Sequence, residues 1–151
     1  MISFFLLACM NSPTPKWDKL FQDSLQTLEL PPPQEEANVL FTVLPTEERL
    51  SMQYFPQEEI FYLSLDNYLW LDNAKSTAAA TLTITQIAVL NYEILGAKIQ
   101  LNPKSGAIIL ASEIDANQIN QTVLSRSIER ILRLSETLRP RFHAAQGTNA
   151  P

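Results

Sequence analysis

Three acidic, proline-led segments constrain this chain most. Pro33-Gln34-Glu35-Glu36, Pro45-Thr46-Glu47-Glu48 and Pro56-Gln57-Glu58-Glu59 recur at nearly even spacing, and each precedes a strand-like run. The runs are Val39–Leu44, then Leu50–Phe55 with Leu50, Met52 and Tyr54 alternating, then Ile60–Leu65. Proline presets φ for a turn, and the paired carboxylates keep the turn hydrated. Strands joined by so few residues pair as an antiparallel meander. Successive turns of a meander lie at opposite ends of the sheet. Glu35/Glu36 and Glu58/Glu59 therefore share one end and Glu47/Glu48 occupy the other, so the carboxylates do not converge on a calcium ion. No Asp-x-Asp-x-Asp-Gly loop is present either.

Helices flank the meander. Thr14 is placed to cap a first helix with Pro15 at its first position. Trp17, Leu20, Phe21, Leu25 and Leu28 form its apolar stripe, and Pro31-Pro32-Pro33 ends it. After the meander, Asp66–Leu71 either prolongs the third strand or turns away, and Asp72–Ala80 reads as a connector or a frayed helix start. Thr81–Leu95 reads as a second helix, with Ile84, Ile87, Ala88, Asn91, Ile94 and Leu95 on one stripe and Gly96 at its cap. Leu82, Val89 and Tyr92 form a second apolar strip, so the helix calls for burial on two sides. Ala97–Leu101 and Ala107–Ala111 flank a five-residue hairpin turn, Asn102–Gly106. The last helix spans about Gln118–Arg139, with Val123, Leu124, Ile128, Ile131, Leu134 and Leu138 inward, and Pro140 stops it. The predicted class is α+β in the order α-β-β-β-α-β-β-α: an antiparallel five-stranded twisted sheet with helices mainly on one face.

Composition narrows the chemistry. A chain of 151 residues can bury one core, and 46% hydrophobic with 18% charged residues is globular. One Cys makes no internal disulfide, and with one His the zinc spacings are missing. The Gly-rich phosphate motifs and G-x-S-x-G are absent, His143 lies beyond Pro140, and Trp17 and Trp70 read as core or interface anchors. No catalytic residue, metal or cofactor is expected. The net charge of −5 argues against nucleic acid as a partner. Its distribution is uneven: residues 1–120 hold 6 Lys/Arg against 14 Asp/Glu, whereas residues 121–151 hold five Arg against Glu129 and Glu136. An acidic body thus carries a basic last helix.

The N-terminus has two readings. Met1–Met10 (MISFFLLACM) contains Leu6-Leu7-Ala8-Cys9, which resembles a lipobox and makes Cys9 the candidate lipidation site. No basic residue precedes Cys9, and the apolar run is short for a signal peptide. The other reading is an apolar arm packing on the body or a partner. The domain plan is therefore an arm or signal remnant plus linker (1–15), one α+β domain (16–142) and a disordered tail (143–151).

This order of elements resembles the class I type III secretion chaperones (CesT/SycE-like) and the YbjN-like family. The most specific stretch is NYEILGAKIQLNPKSGAIIL, Asn91–Leu110, in which Gly96, Leu101, Asn102, Pro103, Gly106, Ile108 and Leu110 match the family's helix-closing glycine and hairpin. The resemblance covers about residues 16–140. It implies a dimeric, cytoplasmic, non-enzymatic module that holds an extended segment of a protein partner. It places the dimer contact at Leu82, Val89 and Tyr92, and partner binding at exposed members of Leu50, Met52, Tyr54, Phe61 and Leu63. The alternative is a YbjN-like regulatory or envelope-associated domain, membrane-anchored only if Cys9 is lipidated.

Overall fold

The computed structural model describes residues 15–70, 77–102 and 105–145. The elements are α1 (Pro15–Thr27), β1 (Gln34–Glu36), β2 (Val39–Val43), β3 (Arg49–Phe55), β4 (Ile60–Trp70), α2 (Thr77–Glu93), β5 (Lys98–Leu101), β6 (Ala107–Asp115) and α3 (Gln121–Ala145). One antiparallel sheet of six strands results, in the order β1-β2-β3-β4-β6-β5. The α+β class and the meander are as expected, but the sheet has six strands where the sequence predicts five. The extra strand is the first acidic segment itself. Gln34–Glu36 pairs with Val39–Phe41 across Ala37 and Asn38, whose φ values of 49° and 65° suit a tight two-residue turn. The three residues carry no apolar side chain, so alternation could not mark them as a strand.

Register explains where the core lies. Leu40, Met52 and Leu63 are cross-strand partners in one row, Thr42, Leu50, Leu65, Leu110 and Ile99 in the next, and Tyr54, Phe61 and Ile114 in a third. Partners across a sheet project to the same face. This face is buried together with Phe21 and Leu25 of α1, Ile87 and Leu90 of α2, and Leu124, Ile128, Ile131, Leu138 and Phe142 of α3. β4 continues through Asp66 to Trp70, with a register irregularity against β6 between Leu65 and Leu69.

Helix ends follow local chemistry. α1 closes in a 6→1 bond from Leu30 N–H to Leu25 C=O (2.9 Å), with Glu29 in the left-handed region at φ 56°. Asn120 caps α3 by accepting the Val123 N–H at 3.0 Å. The far end of α3 departs from expectation. The helix runs through Pro140 to Ala145, and His143 belongs to it rather than to a tail. Pro140 forfeits one helical hydrogen bond. Phe142, fully buried beyond it, anchors the last turn in the core.

Two polar contacts fix elements to one another. Asn91 of α2 faces the outer edge of β5, where its amide nitrogen donates to Ile99 C=O (2.8 Å) and its amide oxygen accepts from Ile99 N–H (2.6 Å). The side chain replaces a neighbouring strand at that edge. In the second of the three acidic segments, Glu48 is buried, contrary to the hydrated turn expected from sequence. It accepts hydrogen bonds from Thr46 and from Arg139 of α3, tying the β2–β3 connection to the last helix.

Truncating Phe142→Ala should cost about 3–5 kcal/mol of stability in urea titration. A loss below about 1 kcal/mol would show that the chain beyond Pro140 is not docked. Asn91→Ala should cost about 1–3 kcal/mol by leaving the Ile99 groups without their partner, and an unchanged midpoint would remove the amide from the account.

Candidate interaction surfaces

The side of α2 turned away from the core carries exposed apolar residues, and Val89 on it lines a pocket with Arg141 of α3. Ile87 and Leu90 reach the core, with Ile94 packed against it. On the other half of the circumference, Tyr92 is 92% exposed, Val89 53% and Ile84 52%, and Leu95, just past the helix end, is 87% exposed. Val89 and Tyr92, two of the predicted contact positions, are therefore at the surface. Leu82 lies in the same helix, two turns before Val89, and its side chain is outside the described residues. The structure divides the predicted stripe: Ile84 belongs to the outer half, Leu95 lies exposed beyond the helix end, and Leu90 takes an inward place. The signal was the i, i+3, i+7 spacing of Ile87, Leu90 and Ile94.

The five sheet positions expected to meet a partner are placed differently. Leu50, Met52, Phe61 and Leu63 are at most 2% exposed and belong to the helix-covered core. They are not a surface of this chain. Tyr54 alone is half-buried, its ring 4.7 Å from Phe61 and 6.2 Å from Trp17 of α1. Trp17 meets Phe61 edge-on at 4.7 Å, so this aromatic trio joins α1 to the sheet and leaves part of Tyr54 and Trp17 accessible. The physical reason for the correction is the pleat. Alternation assigns residues to a common face but does not say which face the helices cover.

The opposite face is mixed in character. Val39, Phe41, Phe55, Ile60 and Ile109 are half-buried there, and Val43 is exposed. The small residues Ser51, Ser64 and Ala111 form its central row. Arg49 stacks over Phe41 at 3.7 Å and meets Glu36 at 3.2 Å. Ser51 donates to Asp66 at 2.9 Å, and Tyr62 donates to Gln100 at 2.6 Å. Burial holds the Tyr62 phenol above its ordinary range, assisted by the Asp66 and Glu113 carboxylates and opposed by the bond to Gln100. A groove between this end of the sheet and the end of α2 is lined by Tyr62, Asn91, Leu95, Lys98, Gln100 and Glu113, among others. Lys98 and Glu113 span it as an exposed pair at 3.5 Å.

Gly96 sits where α2 turns into β5, at φ 76°. A Cβ there would overlap the Arg130 guanidinium of α3. The glycine expected to cap α2 therefore also permits a close approach between the two elements. Cys9 lies outside the described residues. No described helix is long and apolar enough to cross a membrane, and no group of three His, Cys, Asp or Glu among the described residues could hold a metal ion.

No protein-family model matches this chain, and no curated protein matches it in sequence. Solved structures do match in fold. A chain of the ExsC–ExsE complex superposes with a TM-score of 0.65 at 14% identity, covering 85% of this chain and 94% of that one. A chain of the HopA1–SchA chaperone–effector complex gives 0.58 at 16% identity, covering 84% and 98%. A chain of the ExoT–SpcS complex from Pseudomonas aeruginosa gives 0.53 at 12% identity, covering 83% and 98%. With its helices gathered on one face of an open antiparallel sheet, the chain has a class I type III secretion chaperone-like fold.

Proposed function

We propose that this chain is a non-enzymatic protein-binding module that works as a homodimer and holds an extended segment of a partner protein. The observation that carries the reading is the outer half of α2. Tyr92, Val89 and Ile84 place large apolar groups in water on this side of the helix, with Leu95 exposed just past its end, an apolar patch of the kind that marks an interaction surface. A helix that is apolar around most of its circumference is buried on both sides in its working state. Its inner side is already in the core through Ile87 and Leu90. A second α2 meeting the outer side buries the rest, with Leu82, Val89 and Tyr92 at the contact and each residue represented twice.

The partner segment then finds its place on what the dimer leaves free. Trp17 and Tyr54 offer accessible aromatic edges where α1 meets the sheet, and the face bearing Val39, Phe41 and Val43 offers further apolar surface. Likeness in fold to a chain of a chaperone–effector complex supports a protein as the ligand.

Light scattering across a range of protein concentrations tests the dimer. Val89→Asp and Tyr92→Asp should each weaken association on the order of a hundredfold or more, because every dimer would bury two unpaired carboxylates. A monomer at all concentrations, or a dimer indifferent to both changes, would contradict the interface. Co-purification from the native host should recover one enriched protein, and protease protection of a continuous segment in it would establish the extended mode of holding. A recovered partner protected only as a folded globule would contradict that mode.

A further inference from the structure

Four of the five arginines of the last helix lie in one line. Arg126, Arg130, Arg133 and Arg141, with Thr137 between the last two, are spaced by four, three, four and four residues and are all exposed. They occupy the side of α3 opposite the buried Leu124, Ile128 and Ile131 and extend about 22 Å along the helix axis. Arg133 has a carboxylate partner, the exposed Glu129 at 3.7 Å. Arg126, Arg130 and Arg141 have no ion-pair partner among the described residues. A groove runs along this surface between Arg126 and Thr137.

Three features give the line a preference. It lies on an acidic chain: residues 1–120 carry 14 Asp/Glu against 6 Lys/Arg, so the field favours anions on this side and disfavours them over the body. All four cations are arginines, whose planar forks match carboxylates in a bidentate way that lysine does not. Gly96 lets the Arg130 guanidinium lie close against the end of α2, which restricts its motion and lowers the entropy lost on pairing.

We propose that the Arg126–Arg141 line is a docking surface for an acidic, extended segment of a partner protein. An extended peptide rises about 3.3 Å per residue, so roughly seven residues match the line and alternate side chains face it. A sequence with Glu or Asp at every second position spaces its carboxylates about 6.6 Å apart, near the Arg126–Arg130 and Arg130–Arg133 steps, with Arg141 left for a carboxylate further along. At its far end the line approaches α2, where Arg141 shares a pocket with Val89 and Glu93.

Fluorescence anisotropy of a fluorescein-labelled eight-residue peptide alternating Glu and Ser, titrated with the full chain at about 50 mM salt, tests this directly. Saturable binding at one site per chain is expected. Arg126→Gln with Arg130→Gln should weaken it about tenfold, and the corresponding double lysine variant should recover only part of the loss. Lys16→Gln with Lys19→Gln, on α1, should change nothing. Arg126→Gln alone, remote from Gly96, should show a smaller loss in the same direction, and circular dichroism establishes that each variant is folded. The proposal is overturned by binding that does not saturate or by equal loss in the α1 variant. Tighter binding of an eight-nucleotide single-stranded DNA or of phosphatidylserine vesicles than of the peptide would also overturn it, as would arginine-dependent self-association without peptide binding.

Discussion

Burial of a single sheet face organises this molecule. Three rows of cross-strand partners put Leu40, Leu50, Met52, Phe61, Leu63, Leu65, Leu110 and Ile114 on the same side, and α1 and α3 must lie there to cover them. Each fully buried large side chain contributes about 1.5–3 kcal/mol relative to exposure. A one-residue slip of register would exchange this set for Ser51, Gln53, Tyr62 and Ser64. Every other placement follows. The opposite face keeps polar contacts such as Ser51–Asp66 and Arg49–Glu36, and α2 is left at the margin of the core rather than over its centre.

The marginal position of α2 links fold to function. Among the described side chains its inner side supplies Ile87 and Leu90, with Ile94 just past its end, as a packing restraint. The Asn91 amide adds a directed one by holding both backbone groups of Ile99. That contact also occupies the outer edge of β5, where an unpaired strand would otherwise invite another chain. Held this way, the helix presents Val89 and Tyr92 outward. Gly96 then lets the chain turn back into the sheet directly beside Arg130.

Much of this was legible in the residues. The stripes of α1 and α3, the hairpin around Asn102–Gly106, the closing role of Gly96 and the doubly apolar character of α2 all follow from spacing. What failed did so for identifiable reasons. Gln34–Glu36 has no apolar residue to betray a strand and pairs only because Ala37 and Asn38 accept positive φ. Pro140 signals a helix end, but Phe142 keeps the helix going by filling the core beyond it. Glu48 looked like a hydrated turn residue because its partner, Arg139, is 91 positions away. Leu50, Met52, Phe61 and Leu63 were assigned to a partner although their alternation only established that they share a face.

The central claim is that the outer half of α2 is an interface between two copies of the chain. A nitroxide spin label at Tyr92→Cys, introduced after Cys9→Ser, reads that claim at one position. The account predicts a motionally restricted label and a defined dipolar distance between two labels in the undiluted protein, lost on dilution with excess unlabelled chain. A freely mobile label with no intermolecular distance would contradict it, because a side chain 92% exposed in the single chain would then be equally exposed in solution.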